Sequence, residues 1–285
     1  MKKKLISIVL VLIILTAATA SAEIVSIHEE IEEDFINRGV VHNKIVRYTD
    51  KGRVDINVLK ITLDENNYIK PIYNKKGITE KKPLSELSEI NEAVAAINGD
   101  FYNTGNPSYP YGALIDDGKI ISSPNSKGYN YPTILKIGKE YFIDIIEDGI
   151  YLETEKGEII KIAAVNKIGD FSDEFVVMTR NWGEKSLGKY KDQNLLEILV
   201  VKDRVVEIKG DGESIEIPED GFVIATNMNN FAKISYIIDE GTEIEIRYKF
   251  DLENIDWGLG AVNYLVKEAE RNVFLKANKN ERVFT

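Results

Sequence analysis

The chain has no cysteine among its 285 residues. That excludes disulfides, a thiol nucleophile, cysteine-ligated zinc and lipid attachment through an N-terminal cysteine. Histidine is nearly as scarce, with only His28 and His42. Two imidazoles so placed form no H-E-x-x-H pair, and no G-x-S-x-G elbow, P-loop or EF-hand ligand series can be read. No metal site is therefore expected, and no cofactor can be named from the residues. A Ser-His-Asp triad would have to use His42, and nothing marks its serine. Basic charge is in deficit: 36 Lys and Arg stand against 47 Asp and Glu, a net −11. Such a chain suits neither a nucleic-acid backbone nor an anionic membrane surface. Repeats and Pro/Ser-rich linkers are absent too, and 44% hydrophobic residues suffice for a sizeable core.

One long apolar run is present, and it lies at the start. Lys2, Lys3 and Lys4 form a basic n-region, residues 5–15 are almost unbroken apolar, and Ala20-Ser21-Ala22 is an A-x-A cleavage site. The run falls short of the roughly 20 apolar residues that span a bilayer. Residues 1–22 therefore read as a secretory signal peptide. Its removal leaves 33 basic residues against 47 acidic ones, a net −14. The expected product is secreted, with no stable insertion in a membrane and no nucleic-acid partner.

Downstream, turn signals outnumber helix signals. Residues 27–37 (IHEEIEEDFIN) place Ile27, Ile31, Phe35 and Ile36 near one helical face, with Gly39 as a stop, so a helical segment is expected over residues 23–38. Val54, Ile56 and Val58 alternate, then Leu59, Ile61 and Leu63 alternate in opposite phase, as a β-bulge would write it. Pro83 and the spacing of Leu84, Leu87 and Ile90 predict a short helix over 84–91, and residues 93–97 read as a small-residue buried strand. Hairpin turns follow at Asp116-Asp117-Gly118, Gly138-Lys139, Glu155-Lys156-Gly157 and Lys202-Asp203. A strand at 222–225, a helix at 228–237 and an alternating strand at 244–250 complete the reading. Elements interspersed this irregularly predict an α+β fold, a mostly antiparallel mixed sheet with a few short helices, in one domain.

The densest unusual segment is Ala95-Ala96-Ile97-Asn98-Gly99-Asp100-Phe101-Tyr102. Asn98-Gly99 alone suits a hairpin turn. The same residues also suit a sugar site, with an amide and a carboxylate at a strand end and aromatic rings offering flat apolar faces. His28 is expected to be an exposed residue rather than a ligand.

The stretch AVAAINGDFYNTGNPSYPYGALIDDGKI resembles the signature of the phosphodiester glycosidase family, an A-x-x-N-G-[DG]-F-F loop followed by a P-x-G-x-x-I-x-D-G hairpin. Weaker matches follow the family's order: GVVHNKIVRYTDKGRVDINVLKITLD, PLSEL, VVMTRNWG, LLEILVVKDRVVEI and IPEDGFVIATN, together covering most of residues 39–267. The family's later R-T-[AS]-x-G strand and L-D-G-G-G-S loop have no counterpart, and GLGAVNYLVKEAERN departs from its Gly-Gly-x-Pro pattern. The resemblance thus implies an incomplete domain over residues 39–285, with a separate C-terminal fragment as a conceivable partner. It also implies hydrolysis of a sugar-1-phosphodiester, such as N-acetylglucosamine 1-phosphate linked to another alcohol, in cell-wall or exported polysaccharide. Asn98 and Asp100 would be catalytic, with Gly99, Phe101, Tyr102 and His42 binding the carbohydrate phosphodiester. One of Phe101 and Tyr102 is expected in the core. Arg47 and Arg180 are conceivable phosphate partners, with surface solvation the expected role for both, and Asp116 and Asp117 are expected to serve the turn. The competing reading is a non-catalytic carbohydrate-binding or interaction module.

Overall fold

A computed structural model describes residues 25–124, 132–146, 149–172 and 174–261, together with two short strands, Val266–Lys267 and Glu270–Arg271. Residues 1–22, read as a signal peptide, and seven residues of the 258–272 motif lie outside the described residues. The chain divides into two compact units, Met1–Ile69 and Lys70–Thr285, where the sequence suggested a single domain beginning at residue 39.

The first unit carries a three-stranded antiparallel meander of β1 (Ser26–Asn37), β2 (Val40–Thr49) and β3 (Gly52–Ile61). The helix expected over 23–38 is therefore a strand. Apolar residues at 27, 31 and 35 are four apart, a spacing that fits one face of a helix and, being even, one face of a strand equally well. Cross-strand pairing decides between them. Ile31 faces Ile45, Glu29 ion-pairs with Arg47 at 2.5 Å, and Asp34 ion-pairs with Lys44 at 2.8 Å. Gly39, with φ +78°, closes the two-residue turn into β2 rather than capping a helix. The bulge expected in β3 is absent from its pairing with β2, which runs in unbroken register from Val40↔Ile61 to Thr49↔Gly52; the irregularities fall in β1 instead.

In the second unit a short helix, α1 (Leu84–Ile90), precedes the hairpin of β4 (Tyr102–Asn103) and β5 (Tyr109–Pro110). Then come β6 (Leu114–Asp116), β7 (Lys119–Ser122), β8 (Thr133–Ile137), β9 (Glu140–Asp144), β10 (Ile150–Thr154) and β11 (Ile159–Lys161). They are followed by β12 (Ala164–Val165), β13 (Val176–Thr179), β14 (Lys189–Tyr190), β15 (Gln193–Val201), β16 (Arg204–Lys209) and β17 (Gly221–Asn227). A 3₁₀ turn at Met228–Asn230 leads into α2 (Phe231–Ile234), and β18 (Ile244–Tyr248) and β19 (Trp257–Gly260) close the order. The predicted hairpins at 116–118, 138–139, 155–157 and 202–203 all form. Lys202 and Asp203 both take positive φ, the twist a two-residue hairpin requires. The fold is α+β and mostly antiparallel; among the described strands only β12–β13 run parallel.

Among the described residues, three larger sheets and two two-stranded ones build this unit. One has the order β7-β6-β19-β8-β9, so β19 inserts between two hairpins that lie more than a hundred residues earlier. A second is β12-β13-β17-β15-β14 with β16 on β15, and the third is β11-β10-β18. The second sheet is apolar on both faces. Leu196, Ile198, Val200, Phe222 and Ile224 join the larger core, while Leu195, Val223, Ala225, Val176 and Met178 pack with Trp182 and Phe171 on the other side. Each fully buried Leu or Ile contributes about 1.5–3 kcal/mol. Burial on both faces explains why LLEILVV reads as a continuous run rather than an alternation.

Candidate functional site

The asparagine-bearing segment lies at the end of the first of these sheets, where β6 begins and β19 ends. Its approach is not the buried strand expected at 93–97. Those residues form an irregular stretch in which Val94 is 60% and Ile97 74% exposed, while Ala93, Ala95 and Ala96 are half-buried. The small side chains let the backbone lie close to the protein, and the large ones point outward.

Glycines set the closeness of the loop. A Cβ on Gly99 would stand 2.9 Å from Leu259 of β19, and one on Gly112 would stand 2.6 Å from both Asp100 Oδ2 and Gly260 Cα. Gly112 and Gly260 therefore cross backbone to backbone, and the Asp100 carboxyl lies against that crossing. Oδ2 of Asp100 accepts from the Gly112 N–H, and Oδ1 accepts from the Phe101 N–H at 2.7 Å. Burial pushes the Asp100 carboxyl above the usual carboxylate range; the Gly112 N–H, the nearby Lys167 charge and the Phe101 N–H pull it back in part. Lys167 is itself buried and donates to Tyr111 O at 2.5 Å and Gly112 O at 2.9 Å.

Asn98 is exposed, and among the described residues nothing hydrogen-bonds its amide. Phe101 and Tyr102 are 41% and 50% exposed, so neither fills the core, contrary to the expectation that one would. The Phe101 carbonyl accepts from Tyr111 N at 2.8 Å, and Tyr102 pairs with Pro110 in the β4–β5 hairpin. Asn98, Gly99, Phe101 and Tyr102 are thus exposed neighbours in one loop, with Asp100 half-buried among them. His42 belongs to the first unit, where its Nε2 lies 2.9 Å from Asn57 Oδ1 and its Nδ1 3.9 Å from Asp34. His28 is exposed and stacked on Tyr48, in a strand rather than a helix. Arg47 pairs with Glu29 as a solvated surface cation would. Arg180 pairs with Glu219 and Glu184 but is half-buried, and its Nη1 is buried without a hydrogen-bond partner among the described residues, so surface solvation does not describe it fully. Asp117 takes the positive φ of the turn, whereas Asp116 accepts a 2.9 Å hydrogen bond from the Tyr73 hydroxyl.

Sequence reasoning missed Asn166 and Lys167. Asn166 is buried with φ +55°; its amide donates to Ile121 O and Thr179 Oγ1 and its Oδ1 accepts from Thr179 N, tying β7 to β13. That clamp aims the next residue, Lys167, at the Asp100 loop. A lysine after an apolar run ordinarily reads as a solvated strand end, and nothing in AAVNKIGD announces its burial. The asparagine, tolerant of left-handed backbone, was the one faint signal.

Chemically, the site offers an amide without a hydrogen-bond partner among the described residues, two exposed rings and a carboxyl that burial holds above its usual range. Among the described residues there is no group of three or more His, Asp or Glu side chains that could hold a metal ion, and no helix is long and apolar enough to cross a membrane. No protein-family model and no curated protein matches this sequence. Solved structures do match in fold. The chain is similar to a hypothetical protein from Synechocystis, at 17% identity and TM-score 0.68, over 86% of this chain and 46% of that one. It is also similar to a "Putative exported protein" from Burkholderia pseudomallei, at 12% identity and TM-score 0.59, over 84% of this chain and 72% of that one. The chain thus spans about half the length of the Synechocystis structure, and likeness at these identities speaks for the fold alone.

Proposed function

We propose that this is a secreted protein of phosphodiester glycosidase type that hydrolyses a sugar-1-phosphodiester in cell-wall or exported polysaccharide. The observation that carries the reading is the Asn98–Asp100 loop, which presents an unengaged amide beside a carboxyl held by two backbone N–H groups. Breaking the bond at the anomeric carbon develops positive charge on the sugar, which an ionised Asp100 stabilises. A phosphate monoester leaves readily, so the demand on a general acid is small. Asn98 donates to the sugar or the phosphate, Gly99 permits close backbone approach, and Phe101 and Tyr102 offer their faces to the ring. Export is supported by the signal-peptide pattern of residues 1–22 and by the similarity to a protein described as exported.

The test is an assay of the secreted full chain for phosphomonoester release from N-acetylglucosamine 1-phosphodiesters. Turnover is expected, with Asp100→Asn reducing it by about 10²–10⁴-fold. Exposure of both Phe101 and Tyr102 favours a second reading, a carbohydrate-binding module. Wall-sugar binding lost in Tyr102→Ala, with no turnover by the parent chain, would establish that reading and remove the first.

A further inference from the structure

One peptide group stands between opposite charges. The carbonyl oxygen of the Tyr111–Gly112 peptide accepts from Lys167 Nζ at 2.5 Å, and the N–H of the same peptide donates to Asp100 Oδ2. The peptide is a conjugated planar unit, so a cation on its oxygen draws density from its nitrogen and makes the N–H a stronger donor. The three groups also cannot slide apart, because Gly112 is pinned against Gly260 and a second bond runs from Lys167 to Gly112 O at 2.9 Å.

The location of the lysine is informative. Lys167 is 3% exposed, and an ammonium taken out of water costs several kcal/mol unless good geometry and opposite charge offset it. Two carbonyls satisfy donors but do not supply opposite charge; the Asp100 carboxylate, one peptide away, is one source of it. Among the described residues, the elements packed on Asp100 present little else that is charged. β19 contributes Leu259 and Gly260, the start of β6 contributes Gly112, and the flanking loop contributes Phe101 and Tyr111. Lys167 is the cation that acts on this carboxyl.

We propose that Lys167 is a positioning residue for Asp100, holding its carboxylate in place and in the ionised form through the Tyr111–Gly112 peptide. This rests on the reading of Asp100 as the anionic group of the site. Loss of the ammonium leaves Asp100 buried beside a weaker donor, so the carboxyl takes up its proton at higher pH.

Nuclear magnetic resonance of the full chain tests this without a substrate. The Asp100 carboxyl carbon and the Gly112 amide proton are followed through the carboxylate range to neutral pH, in wild type and in Lys167→Met. In wild type the Gly112 amide is expected to titrate with the Asp100 midpoint, and in the variant that midpoint moves to higher pH. An unmoved midpoint in folded Lys167→Met overturns the proposal. If that variant does not fold, Lys167→Gln is titrated instead: an unmoved Asp100 midpoint overturns the proposal, and a midpoint moved to higher pH supports it. Where turnover is measurable, the acid limb of the kcat/KM profile follows the same shift. An Asp100 midpoint raised by loss of the Lys167 ammonium, in a chain with no turnover, sustains the role of Lys167 and removes only the enzymatic reading.

Discussion

Asp100 and Glu197 are carboxyls under the same electrostatic pressure. Burial raises both above their ordinary values of 3.8 and 4.5, and hydrogen bonds only partly oppose it. A group whose folded value is raised binds its proton more tightly in the folded state, so its contribution to stability is full below the unfolded value and is lost as pH rises through the folded one. Glu197 accepts from Ser186 Oγ at 2.6 Å and from Gly188 N at 2.9 Å. Glu197→Gln removes the ionisation but leaves one donor facing an amide NH₂, at a cost of about 1–3 kcal/mol. Urea denaturation should therefore show the stability advantage of wild type over Glu197→Gln to be greatest in acid and to shrink as pH rises above about 4.5. At the loop, Gly112→Ala would drive a methyl onto Asp100 and the Gly260 backbone. It should destabilise by about 1–3 kcal/mol, since backbone cannot yield as a side chain can. Asn98-Gly99-Asp100 stood out in the sequence because amide, glycine and acid end an apolar stretch and two aromatics follow, and the structure places them in a loop with Asn98 and Gly99 exposed. Lys167 did not, because burial of a lysine is decided by what packs over it.

At the scale of elements, the hairpins were the most legible part, since turn residues act over two or three positions and need no distant partner. β1 was misread because a spacing of four residues satisfies both periods, and its pairing with β2 settled the matter. Residues 93–97 were misread because small apolar residues look like a buried strand, though the large members of the stretch face outward. That difference has a measurable consequence. Ile97→Ala should change stability by no more than about 0.5 kcal/mol, as for an ordinary surface site. Ile224→Ala, in the strand buried on both faces, should cost about 2–5 kcal/mol. Equal losses at the two positions would return residues 93–97 to the core.

For the molecule as a whole, apolar burial is unevenly shared. Both buried clusters draw almost wholly on Lys70–Thr285, whereas β1 of the first unit is exposed along nearly its whole length. Hydrogen exchange should accordingly run much faster at the amides of β1 than at those of β15 and β17, whose opening requires disruption of the core. Comparable protection in the two regions would contradict this division. Composition and local pattern determined the α+β class, the turns and the loop worth attention, because each depends on residues near one another in the chain. The tertiary structure decided that residues 26–37 are a strand, that β19 joins two early hairpins, and that a buried lysine reaches Asp100 through one peptide. Those outcomes depend on pairing and burial between residues tens to hundreds of positions apart, which no local pattern encodes.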